Sequence, residues 1–385
     1  MSRALPDAAD VVIVGGGVIG TSIAFHLAEA GVQRVLLLEK DSLGAGSTSK
    51  AAGGVRANFS DEVNVALGAR SLAAFADFGV RPGQEIDLHR VGYLFLLSTD
   101  EQVAAFEQST RVQNELGGPT RMISVDEAVA LAPLISPDGL VAACFSPDAG
   151  HCTPESVVLG YATAARRLGA QLVTGCAVTD IDVEGNEIRR LRTSRGTVRT
   201  RSVICAAGAW SAQLGAYAGV DLPVVPLRRQ IVVTAGIPGL PDNLPMTIDF
   251  TSTFYFHREG PGLLVGMSDP SEQPGFHLDR TEAWLPGLTA AMQHRAPSLL
   301  DVGLTGGWAG LYEMTPDHNA LIGEDEDVSR FLYATGFSGH GFLQGPAVGE
   351  VVRDLYLRRT PVVDVSPLHA DRFRTATPRT EFNVV

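Results

Sequence analysis

The stretch VVIVGGGVIG, residues 11–20, decides the fold of this chain. Its four leading apolar residues predict a buried strand, and Gly15, Gly17 and Gly20 follow in a G-x-G-x-x-G pattern. The first glycine permits a tight turn, the second lets the backbone approach a pyrophosphate, and the third lets helix and strand pack closely. Apolar residues continue at helical spacing as far as Gly31, so the pattern predicts a strand, a turn and a helix in succession.

A carboxylate completes this unit. Residues 35–38 (VLLL) predict a second buried strand, and Glu39 follows it directly. Glu39 comes 24 residues after Gly15, close to the spacing of about 20 residues expected of an acid that accepts the ribose hydroxyls. A lone glycine motif is a weak signal, but the strand, the helix and the acid together predict a dinucleotide site at the helix N-terminus.

The composition is that of a soluble enzyme with a large core. Of the 385 residues, 45% are hydrophobic and 19% are charged. These values are ordinary for a globular protein, and a chain of this length is expected to form two domains. The net charge of −13 argues against a nucleic-acid partner, because phosphate binding requires clustered Lys and Arg.

The cysteines and the apolar segments indicate where in the cell the protein is expected to be. Cys144, Cys152, Cys176 and Cys205 form no C-x-x-C pair and no zinc spacing, so we expect buried free thiols and no metal site. The first residues lack a basic-then-apolar signal sequence, and no apolar run approaches the roughly 20 residues of a membrane helix. These features predict a cytoplasmic protein without a membrane span.

Two further turns favour FAD over NAD. CAAGAW, residues 205–210, ends a strand predicted over 197–205 and lets the backbone pass close to a nucleotide. GFSGHGF, residues 336–342, precedes a helix predicted to begin at Pro346. A glycine-rich turn at a helix N-terminus stabilises negative charge, which suits the N1–C2=O edge of a reduced flavin. Glycines used only for turning are the alternative.

The same stretches carry a family resemblance, together with GAGSTSKAAGGVR (44–56), GLLVGMSDP (262–270), LYEMTPDHNALIG (311–323) and FSGHGFLQGPAVGE (337–350). In this order they resemble the glycine/sarcosine/D-amino-acid oxidase superfamily of FAD enzymes over nearly the whole chain. GLLVGMSDP and the C-terminal block are most similar to the β subunits of heteromeric sarcosine oxidases and proline dehydrogenases.

The resemblance implies an α/β (α+β) fold, in which a Rossmann-like FAD-binding domain is interwoven with a substrate domain built mainly on an antiparallel sheet. We expect the FAD-binding domain to comprise residues 1–80, 145–215 and 320–385. The substrate-binding domain is then expected to comprise residues 81–144 and 216–319.

The resemblance also implies a set of cofactor-binding residues. Ser47 and Thr48 are expected to touch the pyrophosphate, Val178 to flank the adenine through its backbone, and residues 339–343 to border the isoalloxazine. With the motif residues and their neighbours, the expected FAD-binding set is Gly15, Gly17, Gly20, Glu39, Lys40, Ser47, Thr48, Gly54, Val178, Gly208, Trp210, Gly310, Gly339, His340, Gly341, Phe342 and Leu343.

Four residues are candidates for catalysis or substrate binding. By the resemblance, Arg56 holds a substrate carboxylate, for which a guanidinium fork is suited; a solvated loop arginine is the alternative. Tyr255 and Tyr312 match active-site tyrosines of the family, and core tyrosines are the alternative for each. His340 is a further polar candidate, as are His257 and Ser268, although a structural role is the simpler interpretation of all three.

Three departures from the family pattern affect the chemistry. Gly310 stands where sarcosine oxidases that attach FAD covalently have cysteine, so we expect non-covalent FAD. Leu343 replaces a carboxylate-binding lysine, and Leu264 replaces an oxygen-activating lysine. The pocket is therefore expected to be more apolar, and the electron acceptor stays open among oxygen, a quinone and a protein.

The reaction implied by the resemblance is oxidation of the C–N bond of a small amine or N-substituted amino acid, such as sarcosine, proline or glycine. Hydride passes to flavin N5 and an imine forms. Two other hypotheses stay open. One is a 2-hydroxy-acid dehydrogenase on the same scaffold, because Arg56 would serve either carboxylate. The other is a non-catalytic, FAD-bearing subunit of a heteromeric complex, so further subunits stay open as partners.

Overall fold

The computed structural model describes residues 4–375 and 379–383. The strands are β1 (Val11–Val14), β2 (Val35–Leu38), β3 (Gly54–Val55), β4 (Tyr93–Leu97), β5 (Arg121–Ile123), β6 (Ala142–Ser146), β7 (Gly150–His151), β8 (Gln171–Val173), β9 (Val178–Glu184), β10 (Glu187–Thr193), β11 (Gly196–Arg199), β12 (Val203–Cys205), β13 (Val225–Thr234), β14 (Met246–Asp249), β15 (Tyr255–Glu259), β16 (Gly262–Met267), β17 (Leu304–Met314), β18 (Leu321–Glu324) and β19 (Phe331–Thr335).

The helices are α1 (Val18–Glu29), α2 (Glu62–Ala76), α3 (Asp100–Glu115), α4 (Val125–Leu131), α5 (Pro154–Arg167), α6 (Ser211–Ala218), α7 (Leu285–Arg295), α8 (Gly341–Tyr356) and α9 (Arg372–Thr375). Short 3-10 turns lie at Thr48–Lys50, Gly208–Trp210, Pro297–Asp301 and Ser366–Leu368.

A six-stranded sheet forms the Rossmann-like part of the fold, with the strand order β18-β19-β12-β1-β2-β8. Its pairs are parallel except β18 with β19. Because both faces of a parallel sheet are covered, β1 and β2 are buried along their whole length. Helices α5 and α8 pack beside α1 on one face, and the β9–β11 sheet shares a hydrophobic cluster with the other face.

The contact of α1 with α8 depends on a glycine. A Cβ added to Gly349 would lie 2.1 Å from Ser22 Oγ and 2.5 Å from His26 Nδ1. The missing side chain therefore lets the two helices approach closely. This contact sets α8 against α1, so the N-termini of both helices, at Gly17 and His340, reach the same cavity.

The second sheet has eight strands in the order β17-β13-β16-β15-β14-β4-β6-β5, and all its pairs are antiparallel except β4 with β14. Its long strands β13 and β17 pair with Arg229 opposite Gly310. Side chains alternate along a strand, so Ile231, Gly310 and Tyr312 lie on the same face as Arg229. The predicted fold class is confirmed: a Rossmann-like layer and a mainly antiparallel sheet.

Two local predictions are wrong. The segment predicted as one strand over 197–205 is two strands, β11 and β12, separated at Thr200 and Ser202, where the Thr200 hydroxyl accepts from the Ser202 amide. The C-terminal helix begins at Gly341 rather than at Pro346. Pro346 lies inside α8, where it lacks only the amide that would donate to the Phe342 carbonyl.

All four cysteines lie in the described part of the chain, and they are buried and free, as predicted. Within residues 4–375 and 379–383, no helix is both long and apolar enough to cross a membrane.

Candidate active site

A cavity of about 520 Å³ lies between the two sheets. Its walls include the ends of β1, β2 and β12, at Val14, Leu38 and Ala206. In this sheet β1 is flanked by β12 on one side and by β2 on the other. Parallel sheets of this kind bind ligands at the carboxyl ends of their strands, at the point where the strand order reverses. The opposite wall is the face of the eight-stranded sheet that carries Arg229 and Tyr312.

The structure brings nearly all the predicted site residues to this cavity. Those that line it are Gly15, Gly17, Glu39, Lys40, Ser47, Thr48, Gly54, Arg56, Val178, Gly208, Trp210, Tyr255, Gly310, Tyr312, Gly339, His340, Gly341, Phe342 and Leu343. Gly20 does not line it. A Cβ at Gly20 would lie 1.9 Å from the Gly15 carbonyl oxygen, so Gly20 packs the helix against the turn.

The glycine-rich turn has the geometry of a phosphate cradle. Gly15 has φ +113°, and an added Cβ would lie 2.1 Å from the Ala206 oxygen. Gly17 is the N-cap residue of α1 and supplies no side-chain acceptor to the first amides. Val18 N donates to Thr48 Oγ1 at 3.1 Å, which places that hydroxyl at the same helix end. An anion is stabilised at this terminus by the helix dipole.

Glu39 is held by the backbone at the end of β2. Its Oε2 accepts from Gly16 N at 2.7 Å, and its Oε1 accepts from Asp41 N at 2.8 Å. Each carboxylate oxygen has further lone pairs, so the group still accepts ribose hydroxyls. Beside it, Lys40 Nζ lies 3.7 Å from the centroid of the Trp210 ring.

Arg56 is buried in the aromatic part of the cavity. Its Nη2 donates to the Asn383 carbonyl at 2.7 Å, and its Nη1 donates to the Asn58 carbonyl. The guanidinium lies near three rings, with its Cζ at 4.5, 5.9 and 5.5 Å from the centroids of Phe59, Tyr93 and Phe95.

Among the described residues, no carboxylate lies within ion-pair distance of Arg56. Burial lowers the pKa of Arg56 below its ordinary value. A buried positive charge without a counter-ion is costly unless an anion joins it. The negative charge of Glu381 offsets part of this effect from beyond ion-pair distance, and a further anion beside the guanidinium would be stabilised.

Three tyrosines surround this region, and each packs on a glycine. Added Cβ atoms at Gly54 and Gly266 would lie 1.8 and 2.3 Å from Tyr93 Oη and Tyr255 Oη. One at Gly339 would lie 2.5 Å from the Tyr312 ring.

Burial raises the pKa of all three phenols, and that of Tyr255 lies well above 10. They are therefore neutral near physiological pH. A neutral phenol both donates and accepts hydrogen bonds.

Of the three remaining polar candidates, only His340 lines the cavity. His340 lines the cavity at the N-cap of α8, and within the described chain its buried Nε2 has no hydrogen-bond partner. Burial lowers the pKa of His340 well below 6.5. His257 and Ser268 do not line the cavity: His257 lies between the carbonyls of Ala52 and Arg258.

Leu264 does not line the cavity either. It is buried in an apolar cluster that includes Ile231 and Tyr255, behind the cavity wall. Leu343, the other residue expected to replace a family lysine, does line the cavity and lies in the first turn of α8.

Sequence reasoning missed four charged residues that line the cavity: Asp41, Lys50, Arg229 and Glu313. Arg229 places its Cζ 5.1 Å from the Tyr312 ring centroid, and its buried Nε has no hydrogen-bond partner among the described residues. Glu313 is buried, and burial raises its pKa to about 7 although Thr335 Oγ1 and Gly336 N donate to it. Lys50 lies against Gly310, whose added Cβ would be 2.5 Å from the Lys50 Cβ.

The amino-acid composition could have pointed to Lys50, because lysine is rare in this sequence. Lys40 and Lys50 are the only lysines in the sequence, whose 30 cationic residues are otherwise arginines, and both line the cavity. Arg229 and Glu313 carry no comparable local signal, because each is one polar residue on a strand whose exposed face the sequence does not reveal.

The geometry defines a dinucleotide-binding protein, and comparison with known proteins specifies its family and its class as an oxidoreductase. The profile of the family described as "DAO: FAD dependent oxidoreductase" matches residues 10–355. The chain belongs to this family, and its cofactor is FAD. The resemblance seen in the sequence is confirmed.

Three relatives illustrate the similarity. The chain is 31% identical to rat (Rattus norvegicus) mitochondrial dimethylglycine dehydrogenase over 97% of this chain and 46% of that protein. It is 30% identical to glycine oxidase of Geobacillus kaustophilus over 94% of this chain and 97% of that one. The solved structure of L-proline dehydrogenase from P. horikoshii has a TM-score of 0.90 at 33% identity, with 96% of this chain and 99% of that one covered. The chain spans less than half the length of the dimethylglycine dehydrogenase.

The cavity fits FAD by its own geometry. The glycine-rich turn suits a pyrophosphate, as do the first amides of α1, which receive no side-chain hydrogen bond from the N-cap residue Gly17. Glu39 suits a ribose. The second helix N-terminus, at His340 and Gly341, lies on the cavity wall and suits the electron-rich edge of the ring system. Bound flavin supplies the two-electron acceptor, and the protein supplies binding, orientation and exclusion of water.

Proposed function

We propose that this protein oxidises the C–N bond of a small amine or N-substituted amino acid. The observation that carries the proposal is the buried Arg56 guanidinium, which lies in an aromatic cavity without a carboxylate partner in the described chain. A substrate carboxylate would complete its charge and its hydrogen bonds. The amine end of such a substrate would then lie among Tyr255 and Tyr312, toward the flavin.

The titration states of the cavity residues suit a neutral amine. Tyr255 and Tyr312 are neutral phenols and orient a substrate through hydrogen bonds rather than by taking a proton. His340 is an uncharged imidazole with a free Nε2 in the described structure, and we propose that it accepts a hydrogen bond from the amine. No strong general base is required when the amine binds without its extra proton.

The names of the relatives support this substrate class. They include a dimethylglycine dehydrogenase, a glycine oxidase and a proline dehydrogenase, which share a small amino acid as substrate.

The domain bounds, the cellular location and the electron acceptor complete the proposal. We propose that the described residues within 1–80, 145–215 and 320–385 form the FAD-binding domain, and that 81–144 and 216–319 form the substrate-binding domain. Residues 1–3, 376–378 and 384–385 of the predicted ranges lie outside the described residues. The four free buried thiols support a reducing, cytoplasmic location. The electron acceptor is proposed to be a quinone or a protein, and an accompanying subunit is compatible with this scheme.

Anaerobic flavin bleaching tests the proposal. The purified holoprotein is mixed with sarcosine, proline, glycine or 2-hydroxyglutarate, and loss of the oxidised flavin absorbance is followed. We expect bleaching by an amine and none by the hydroxy acid. Bleaching by 2-hydroxyglutarate alone would make the protein a hydroxy-acid dehydrogenase. Bound flavin that no compound reduces would make it a non-catalytic subunit.

A further inference from the structure

Two guanidinium groups reach the cavity from different elements. Arg56 follows β3, and Arg229 lies in β13 opposite Gly310. Their aromatic neighbours do not overlap: Arg56 lies near Phe59, Tyr93 and Phe95, whereas Arg229 lies over the ring of Tyr312. The two cations therefore occupy separate positions on the cavity wall.

Neither Arg56 nor Arg229 forms an ion pair with a described residue, although the charge of Glu381 acts on Arg56 from beyond ion-pair distance. Arg229 donates from Nη1 to the Arg228 carbonyl at 3.2 Å, but its buried Nε has no partner there and no carboxylate lies within ion-pair distance. The neighbouring Arg228 shows the contrast. Its Nε lies 2.8 Å from Glu272 and its Nη1 lies 3.5 Å from Asp279, so its charge is matched outside the cavity.

The carboxylates that line the cavity are already engaged. Glu39 accepts from the amides of Gly16 and Asp41. The Asp41 carboxylate lies 3.6 Å from Lys40 Nζ, and Glu313 accepts from Thr335 and Gly336. The FAD phosphates are expected at the α1 terminus, where Val18 N donates to Thr48 Oγ1, whereas Arg229 lies over the ring of Tyr312. None of these carboxylates pairs with Arg56 or Arg229, so both guanidinium charges are available to a substrate.

We propose that Arg229 forms a second carboxylate subsite, so that the preferred substrate is an amine bearing two carboxylates, one on Arg56 and one on Arg229. This inference rests on the proposed function and specifies its substrate. A monocarboxylate such as sarcosine would satisfy Arg56 and leave Arg229 unpaired. A secondary amine with two acid groups satisfies both charges through bidentate pairs.

Ligand titration of the oxidised holoprotein gives a measurement independent of turnover. Acetate and glutarate are added separately, and the shift of the flavin absorbance gives a Kd for each. We expect glutarate to bind at least roughly tenfold more tightly, since a second charge-assisted pair forms. Anaerobic reduction by sarcosine, iminodiacetate and N-methyl-L-aspartate is measured in parallel, and the two diacids should have the larger kcat/KM.

The variant Arg229→Gln should abolish the preference for glutarate while the Kd of acetate stays unchanged. Arg229→Lys keeps the charge without the fork and should keep part of the preference. The matched control is Arg228→Gln, one residue away and paired outside the cavity, which should keep the wild-type preference.

Three outcomes would overturn the subsite. They are no preference for diacids in the wild type, equal weakening of acetate and glutarate in Arg229→Gln, or loss of FAD from that variant. Equal weakening would mean that both arginines hold one carboxylate, and loss of FAD would mean a cofactor role. If glutarate binds as expected but no amine bleaches the flavin, the proposed function fails and the subsite stands.

Discussion

Arg56 donates a hydrogen bond from Nη2 to the backbone carbonyl of Asn383, 2.7 Å away and 327 residues later in the chain. The segment that carries this carbonyl is anchored by Glu381, which is fully buried. Glu381 accepts from Ser60 N at 2.9 Å, from Ser60 Oγ at 2.7 Å and from Asn64 Nδ2 at 3.0 Å. The C-terminal segment therefore holds the guanidinium in place.

The first prediction is that Glu381→Ala weakens substrate binding without loss of FAD. Removal of the anchor frees the Asn383 carbonyl, so the Arg56 guanidinium loses its orientation. A loss of about 1–2 kcal/mol would raise KM roughly 5- to 30-fold. The measurements are the KM for the best amine, kcat, and the ratio of flavin to protein.

Asn383→Ala is the matched control, because it keeps the backbone carbonyl and should behave almost as the wild type. A large effect of Asn383→Ala, or none of Glu381→Ala, would show that the segment does not position Arg56.

Arg56 itself gives the second prediction. Losing a charge-assisted pair in a desolvated site should cost about 2–4 kcal/mol, so Arg56→Ala should reduce kcat/KM by roughly 30- to 1000-fold. FAD content should stay normal, because the expected pyrophosphate and ribose contacts lie elsewhere in the cavity. A variant that retains FAD and also retains the wild-type kcat/KM would remove Arg56 from the substrate site.

A third prediction concerns the attachment of FAD. By the family resemblance, Gly310 stands where a thiol would form the covalent link, and the space beside it is taken by the stem of Lys50. We therefore expect non-covalent FAD, and acid precipitation should release the yellow colour into the supernatant. Flavin that stays in the washed pellet would contradict this.

The fourth prediction concerns electron transfer to oxygen. A cation near the flavin lowers the barrier for superoxide formation, and by the family resemblance Leu264 and Leu343 stand where related oxidases carry lysine. Burial lowers the pKa of His257 to about 4 and that of His340 well below 6.5, so neither imidazole replaces the missing charge near neutral pH. We expect reoxidation by oxygen to be slower than turnover with a quinone or dye acceptor.

Stopped-flow mixing of the reduced protein with air-saturated buffer measures this rate. Reoxidation as fast as substrate turnover would make the protein an oxidase. Lys50→Met would then identify the source of the charge, because Lys50 is a cavity-lining ammonium beside Gly310.

The fifth prediction is a pH dependence of stability caused by Glu313. Burial raises its pKa from 4.5 to about 7, so the folded state favours the protonated carboxyl. The unfolded state releases this proton at lower pH, and stability therefore falls as the pH rises from 4.5 to about 7. The total effect is about 3 kcal/mol.

Glu313→Gln keeps hydrogen-bonding groups but does not ionise. Denaturant unfolding of the wild type and the variant at about pH 5 and about pH 8 should show that the wild type loses about 2–3 kcal/mol more over this interval. Equal losses in the two proteins would show that Glu313 does not titrate there.

The local pattern was sufficient for the part of the site that lies within one continuous stretch. The strand and helix bounds around Gly15 follow from residues 11–31, and Glu39 follows from the strand that it ends. The local pattern did not predict the start of α8. A proline is expected in the first turn of a helix, but Pro346 lies deeper in α8. The surrounding contacts outweigh the lost hydrogen bond.

By itself the sequence determined the β-α-β unit, the dinucleotide turn and the carboxylate at the end of β2, because these depend on neighbours in the chain and on the periods of strand and helix. Only the tertiary structure decided which distant residues share the cavity. The register of β13 with β17 places Arg229 against Tyr312, and the anchoring of Glu381 brings the Asn383 carbonyl to Arg56. Such contacts join segments that are far apart in the chain, and their selection depends on packing rather than on local pattern.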